Sequence, residues 1–227
     1  HGLVARMIYR NSILAEARAD QLLLNILPAG IADRLKEGEV SIAERFTEAS
    51  IMFVDVVNFT KLSSSLEPSE VVKMLDSIFR RFDTASETHG MEKIKTIGDG
   101  YMAASGVPTV HQDHAIHAAR AALAFCECIK EAAKELELDL GIRVGVHSGP
   151  VVAGVIGTKK FIYDMWGDTV NIASRMESHG QEGKVHISGT FRDKLGDGFE
   201  FSDPKKIEIK GKGWMETCFL IREKSGG

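Results

Sequence analysis

The sequence predicts an α+β sandwich with a ferredoxin-like βαββαβ core. Three observations support this fold class: a strand-like apolar run at residues 50–57, a hairpin signal around Asp99, and a long alanine-rich helix over residues 112–136. The 227 residues are enough for one sizeable core together with an appendage. We therefore expect one globular domain and a separate N-terminal segment.

The first predicted element is an N-terminal helix that runs to about residue 27. Met7, Leu14 and Leu24 belong to a heptad seam, which favours a parallel two-stranded coiled coil. The alternative is an amphipathic helix that packs on its own domain. Leu27-Pro28 interrupts the helix, because proline disfavours the helical conformation at the residue before it.

A second, short helical stretch is predicted after this break, over residues 31–36, and Gly38 closes it. A broken helix in this position is typical of a hinge. We therefore divide the chain into an N-terminal helix region, residues 1–45, and a globular domain, residues 46–224.

The globular domain continues after its first strand with a helix, because apolar residues recur at helical spacing between residues 68 and 90. Residues 91–97 and 101–105 are typical of two strands. Gly98-Asp99-Gly100 lies between them, and its glycines allow a tight hairpin turn.

The second half of the domain is predicted to hold another hairpin and a further helix. Residues 141–147 and 151–156 are the strands of this hairpin, which turns at Ser148-Gly149-Pro150. Asp168 is the predicted N-cap of a helix that ends at about Ser178. Short strands and turns make up the remainder.

Composition excludes some functions. The net charge of −4 gives no sign of binding to nucleic acid or to an anionic membrane surface. The three cysteines have no metal-ligand spacing, which indicates a reducing compartment. No stretch is long and apolar enough to span a bilayer. Since the chain starts at His1 instead of Met, we expect a fragment of a longer protein.

Two aspartates lie in settings that suit metal ligands. Asp55 ends the apolar strand, and Asp99 lies at the tip of the first hairpin. A carboxylate at a strand end and another at a hairpin tip can converge on one point. Hard oxygen ligands of this kind suit Mg²⁺ or Mn²⁺, which usually hold substrate phosphates as well. The alternative for Asp55 is a cap on the following helix.

Several groups could bind a phosphorylated substrate. The strand-to-helix turn through Phe59 and Thr60 presents backbone N–H groups, which form a ready anion site. Arg143 lies in an otherwise apolar strand, where a charge needs either an exposed face or a bound anion. Lys210 is flanked by glycine, which suits a polyphosphate tail or a basic turn.

A lysine and an aspartate are candidates for recognition of a base. Lys93, Lys95 and Ile97 alternate along a strand, which predicts that they share one face. A solvated face is the alternative for these lysines. Asp164 is flanked by aromatic residues. This setting is typical of a turn residue, and the alternative is a half-buried acid with a specific role. A lysine that donates and an aspartate that accepts could together read a purine edge.

An amide and a guanidinium lie side by side in the helix after Asp168. Asn171 and Arg175 are four residues apart and therefore share a helix face. Such donors suit a phosphoryl-transfer transition state, in which negative charge builds up. The alternative is an ordinary exposed helix surface.

Over residues 48–221 the chain resembles the catalytic domain of the class III nucleotidyl cyclases. Five ordered motifs carry the resemblance: residues 53–60, 95–102, 143–149, 163–175 and 210–213. Residues 20–38 resemble the transducer helix that precedes many such domains. The family often has glycine where Asn58 stands. Because asparagine tolerates unusual backbone angles, we expect the phosphate turn to be preserved.

The resemblance implies a bacterial, homodimeric adenylyl cyclase that converts ATP to 3′,5′-cyclic AMP and pyrophosphate with two Mg²⁺ or Mn²⁺ ions per site. The residue roles that it implies are metal binding by Asp55, Val56 and Asp99, adenine selection by Lys95 and Asp164, ribose orientation by Asn171, stabilisation of α-phosphate charge by Arg175, and triphosphate contacts by Arg143, Lys210, Phe59 and Thr60. In this family each site lies between two domains, so a homodimer would have two equivalent sites.

Three alternatives to an adenylyl cyclase stay open. A guanylyl cyclase is disfavoured by Lys95 and Asp164, because guanylyl-specific relatives carry Glu and a Cys-like residue there. A diguanylate-type cyclase shares the core but lacks the helix pattern around Arg175. A catalytically silent module would bind nucleotide and signal by dimerisation. We expect a cytoplasmic catalytic domain whose full-length parent lies in the cell membrane.

Overall fold

The computed structural model describes residues 2–157 and 160–224. These residues form two compact units. The first unit consists of the chain up to Glu44 together with Ala153–Asp164, and the second consists of Arg45–Val152 and the chain from Met165 onward. Within the described ranges, no helix has both the length and the hydropathy that a membrane span requires.

The first unit contains the two predicted N-terminal helices, α1 (Gly2–Leu24) and α2 (Ala29–Lys36). The predicted break between them is confirmed, and Pro28 stands immediately before α2. Lys36 Nζ lies 2.9 Å from Asp20 Oδ1, which ties α2 to α1.

The heptad seam of α1 is open to solvent in the single chain. Met7 is 62% exposed, and Leu14 and Leu24 are each 48% exposed. Exposed apolar residues at heptad spacing are what a second helix would cover. The coiled coil therefore stays a prediction.

The predicted ferredoxin-like βαββαβ core is confirmed. Its elements, with one short additional helix α3, are β1 (Ala43–Val57), α3 (Phe59–Ser63), α4 (Pro68–Thr88), β2 (Glu92–Ile97), β3 (Gly100–Ser105), α5 (His114–Leu136) and β4 (Gly141–Ile156). The first strand begins earlier than predicted, whereas the helices and the β2–β3 hairpin lie where the periodicity placed them.

The second half of the chain adds strands and two helices to this core. These elements are β5 (Ile162–Trp166), α6 (Asp168–Ser178), β6 (Val185–Ser188), α7 (Gly189–Leu195), β7 (Phe199–Phe201), β8 (Lys205–Ile209) and β9 (Gly213–Glu223). The sheet order is β2-β3-β1-β4-β6-β9-β7, with β5 paired to β4 and β8 paired to β9. Helix α7 was not predicted.

Helices α4 and α5 pack on one face of the sheet. The rings of Phe82 on α4 and Phe125 on α5 are stacked with centroids 4.3 Å apart, and both contact the buried ring of Tyr101 on β3. Val54 of β1 belongs to the same core. Because side chains alternate along a strand, Asp55 points to the opposite face of the sheet.

The predicted hairpin at Ser148-Gly149-Pro150 is wrong, because β4 continues through these residues without a turn. The Ser148 hydroxyl lies 2.6 Å from the Ser50 hydroxyl of β1. A Cβ at Gly149 would lie only 2.6 Å from Thr169 Oγ1, and this hydroxyl donates to the Pro150 carbonyl at 2.7 Å. Gly149 thus leaves room for α6 beside the strand, and β4 pairs with β5.

The predicted cap of α6 is also wrong, although the helix has the predicted extent. Gly167 occupies the N-cap position and Asp168 is the first helical residue. The Asp168 carboxylate instead forms an ion pair of 2.6 Å with Lys212. A local sequence signal for a cap was overridden by a partner that is distant along the chain.

Candidate active site

A cluster of charged side chains lies on the sheet face opposite α4 and α5. Arg143 Nη2 on β4 donates to Asp55 Oδ2 on β1 at 2.8 Å. Arg143 Nε donates to Glu177 Oε1 on α6 at 3.0 Å. The arginine in the apolar strand therefore has two acidic partners. A half-buried guanidinium is stable here because both contacts are charge-assisted hydrogen bonds.

Asp99 lies beside this cluster. In the β2–β3 turn, Gly98 has a φ of 60°, which glycine adopts without steric cost. Gly100 pairs with Asp55 across the two strands, so the turn lies next to the end of β1. Burial chiefly raises the pKa of Asp99, and the charge of Asp55 raises it further. The structure thus brings together the two aspartates that were predicted as metal ligands.

The donor set at this point fits a hard divalent cation. It comprises the carboxylates of Asp55 and Asp99, and the contribution of the Val56 carbonyl stays a prediction. Within the part of the chain that the structure describes, no three His, Cys, Asp or Glu side chains are grouped to hold a metal. Mg²⁺ is usually bound by one or two carboxylates together with water and substrate phosphates, so two carboxylates suffice.

Glu177 was missed by the sequence analysis, although its side chain is the least exposed of the cluster at 14%. Helix α6 reaches β4 because residue 145 is glycine. A Cβ there would lie 1.9 Å from Glu177 N. Gly145 lies two residues after Arg143 and thus on the same strand face. A glycine within a strand often marks a close backbone approach, and this was the available signal.

A second group of polar side chains surrounds a cavity of about 460 Å³. Asn171 and Arg175 line it from α6, and Lys210 and Lys212 line it from the turn between β8 and β9. Three residues predicted to bind substrate or stabilise the transition state, Asn171, Arg175 and Lys210, are therefore neighbours. Their amide, guanidinium and ammonium groups suit a phosphorylated ligand.

The charged cluster and the cavity lie on different sides of α6. Asn171 and Arg175 are four residues apart, share a face and are exposed. Glu177 is two residues beyond Arg175, which places it across the helix axis, towards Arg143. One chain thus carries an acidic, metal-suited group and a cationic cavity that do not face each other.

The prediction that Lys93 and Lys95 share a strand face is wrong. They pair with the adjacent β3 residues Ala103 and Met102, so a β-bulge lies between the two lysines. Adjacent residues of β3 point to opposite faces of the sheet, so their partners Lys93 and Lys95 also lie on opposite faces. Lys93 contacts Asp83 of α4 at 2.7 Å, whereas Lys95 lies on the face that carries Asp55.

Asp164 lies within strand β5 and is half-buried, so it is not a turn residue. It belongs to the first compact unit, whereas Lys95 belongs to the second. Their joint role in reading a base stays a prediction.

The predicted phosphate turn has the expected backbone conformation. Phe59 and Thr60 are the first residues of α3. Asn58 precedes them with φ 62° and ψ 13°, the left-handed region that glycine usually occupies. The expected tolerance of Asn58 for this conformation is confirmed, and binding by Phe59 and Thr60 stays a prediction.

Comparison with known proteins gives the family. The model of the adenylate and guanylate cyclase catalytic domain matches residues 41–222. The chain belongs to this cyclase family. Its catalytic domain is of the class III type, and the family's reaction makes it a lyase.

The relatives of this cyclase domain include both adenylate cyclases and guanylate cyclases. An adenylate cyclase of Mycobacterium bovis is 43% identical over 208 residues, which cover 91% of this chain and 47% of the relative. Guanylate cyclase soluble subunit beta-2 of Rattus norvegicus is 42% identical over 219 residues, covering 96% of this chain and 32% of the relative. The chain thus spans about half or less of the length of these curated relatives.

Solved structures agree with the family. The guanylate cyclase domain of RhGC from Catenaria anguillulae, in complex with GTP, has a TM-score of 0.76 and 35% identity. The match covers 80% of this chain and all of the other chain. The sequence and structure comparisons therefore agree on the family and on the fold.

His147 of the cyclase domain is a buried residue for which we expect a structural role. Its Nδ1 lies 2.6 Å from Ser188 Oγ, and burial lowers its pKa from 6.5 to about 4. The fold therefore favours the neutral ring. Because the unfolded chain binds this proton more tightly, the free energy of unfolding falls as the pH drops from 6.5 towards 4. The loss is roughly 3 kcal/mol in all, and the full stability is present above pH 6.5.

We expect urea unfolding to show this loss between pH 7 and pH 4.5. His147→Gln cannot titrate, so its unfolding free energy should fall less steeply over the same interval. The buried His114 and His186 also have lowered pKa values and act in the same direction, which makes the difference between the two proteins the relevant quantity. Equal slopes for both would contradict the assignment.

Proposed function

We propose that this cyclase domain converts ATP to 3′,5′-cyclic AMP and pyrophosphate at sites shared by two copies of the chain, with two Mg²⁺ or Mn²⁺ ions per site. The observation that carries the proposal is the arrangement around α6. Asp55, Asp99 and Arg143 lie on one side, and Asn171 and Arg175 lie on the other. In a two-fold symmetric dimer, the aspartate group of each chain would face the Asn171–Arg175 group of its partner, which gives two equivalent sites.

The reaction joins the ribose 3′ oxygen to the α-phosphorus and breaks the α-phosphorus bond to the bridging oxygen. Pyrophosphate leaves, and the 3′-hydroxyl proton passes to solvent or to a substrate phosphate. Divalent cations held by Asp55, Asp99 and the Val56 carbonyl would supply charge neutralisation at the triphosphate and at the 3′ oxygen. No strong protein base is required.

The remaining residues orient the substrate and stabilise charge. Asn171 holds the ribose, and Arg175 donates to the α-phosphate, where charge builds up in the transition state. Arg143 and Lys210 contact the β- and γ-phosphates. The backbone N–H groups of Phe59 and Thr60 complete this cradle.

The choice of ATP over GTP rests on two side chains. Adenine presents an acceptor at N1 and a donor at its exocyclic amine, which match the donor of Lys95 and the acceptor of Asp164. Guanine presents the reverse pattern at these positions. The second candidate is a guanylyl cyclase, which is favoured by the 42% identity to a guanylate cyclase subunit.

We expect Lys95→Glu combined with Asp164→Cys to lower the ratio of kcat/KM for ATP to that for GTP by at least about 100-fold. Unpaired polar groups in a hydrogen-bonding site reject the wrong base strongly. Lys93→Gln is the matched control, because Lys93 lies on the other face of the strand, where it contacts Asp83 of α4. A wild-type preference for GTP, or an unchanged ratio in the double variant, would refute the adenine assignment.

The first experiment measures cyclic AMP formation with Mn²⁺ over a range of protein concentrations. Shared sites predict that activity per chain rises with concentration until the dimer is saturated. Folded protein that forms no cyclic nucleotide from either ATP or GTP would instead favour a silent binding module.

The proposal extends to the parent protein. The exposed seam of α1 supports a coiled coil in which residues 1–45 hold two catalytic domains, residues 46–224, together. We place the catalytic domain in the cytoplasm and anchor the parent in the cell membrane. Recovery of the full-length protein in the soluble fraction would contradict the anchor.

A further inference from the structure

Glu177 has no role in the site proposed above, yet it holds the arginine that binds Asp55. We propose that Glu177 is a positioning residue that retains Arg143 when Asp55 turns from Arg143 to a divalent cation. Arg143 would then exchange its Asp55 contact for a substrate phosphate. The inference rests on the proposed metal site at Asp55.

The two contacts of Arg143 use different nitrogens. Nε donates to Glu177 at 3.0 Å and Nη2 donates to Asp55 at 2.8 Å. A guanidinium is planar and presents its donors in a fixed fork. One contact can therefore break while the other keeps the side chain in place.

The two acids differ in how firmly they are held. The Glu177 side chain is 14% exposed, and its backbone is packed against β4 at Gly145. Met176, the residue before it, is fully buried. The Asp55 side chain is 31% exposed at the end of its strand. Glu177 is thus the fixed partner, whereas Asp55 is open to an incoming ion.

Glu177 determines what happens to Arg143 after this exchange. Without Glu177, an arginine that leaves Asp55 would become a half-buried charge with neither acidic partner, which is unfavourable. With Glu177 in place, the arginine keeps one charge-assisted bond. Glu177 therefore favours cation binding at Asp55, and it acts through Arg143.

A double-mutant cycle on Mn²⁺ affinity tests this coupling. Free Mn²⁺ is measured by electron paramagnetic resonance with the purified chain and no nucleotide, for wild type, Glu177→Gln, Arg143→Gln and the double variant. We expect Glu177→Gln to weaken Mn²⁺ binding about tenfold, as is typical for residues that position metal ligands. In the Arg143→Gln background, the same substitution should change the affinity less than about twofold.

A simple loss of negative charge would weaken binding equally in both backgrounds, and that result would overturn the inference. So would wild-type affinity in Glu177→Gln, or Mn²⁺ binding that Asp55→Ala leaves intact. Asp197→Asn removes one negative charge from an exposed 3₁₀ helix, Gly196–Gly198, and is the matched control. Circular dichroism and thermal unfolding confirm that each variant is folded.

The measurement separates this inference from the proposed function. It uses no substrate, so coupling can be found even if the chain forms no cyclic nucleotide. Conversely, normal cyclic AMP formation with no coupling between Glu177 and Arg143 would refute the positioning role and leave the proposed reaction intact.

Discussion

Asp55→Ala and Arg175→Ala are each expected to lower cyclic AMP formation by at least ~100-fold, and their equimolar mixture is expected to regain about a quarter of wild-type activity. Asp55 is a metal ligand in the proposed site, and Arg175 donates to the α-phosphate from the other half-site. In a mixture, half of the dimers contain one chain of each kind. Each of these dimers has one intact site and one site that lacks both groups.

The matched control is a mixture of Asp55→Ala with Asp99→Ala. Both residues belong to the same half-site, since Asp55 pairs with Gly100, next to Asp99. Every site in this mixture lacks one of the two aspartates, so no activity should return. Sites contained within one chain would give no rescue in either mixture, and that result would refute the shared site.

Gly145→Ala is expected to lower the free energy of unfolding by about 3 kcal/mol and to remove most of the activity. Its Cβ would lie 1.9 Å from Glu177 N and 2.5 Å from Glu177 Cα. These are backbone atoms of α6, which cannot move aside as a flexible side chain can. Displacement of α6 would disturb Glu177 and Arg175 together.

Urea unfolding and the cyclase assay measure both effects, with Gly198→Ala as the matched control. A Cβ at Gly198 has no neighbour within 4 Å, and the residue does not have a positive φ. Its unfolding free energy should stay within about 0.5 kcal/mol of wild type. Full stability and activity in Gly145→Ala would show that α6 is not seated on the strand as described.

Much of the fold could be predicted because its signals are local. The helical spacing before Gly90 and the two glycines around Asp99 each act within a few residues. Asp55 and Asp99 could be joined from sequence because a strand end and a hairpin tip are features of the chain itself. Asn58 in the left-handed region was likewise expected from its residue type.

Other features depend on contacts between distant segments. Gly149 and Pro150 are typical turn residues, but they lie in a continuous strand, where Gly149 leaves room for Thr169. Lys93 and Lys95 alternate in sequence, but a bulge opposite β3 separates their faces. No local pattern reports either contact.

The sequence by itself determined the α+β class, the order of the core elements and the residue types of the candidate site, since propensity, periodicity and turn chemistry are properties of short segments. Only the tertiary structure decided that Arg143 donates to both Glu177 and Asp55, and that Asn171 and Arg175 lie on the other side of the same helix as Glu177. These relations require a helix seated on a strand more than 30 residues away in the chain, at a glycine whose missing side chain leaves room for it.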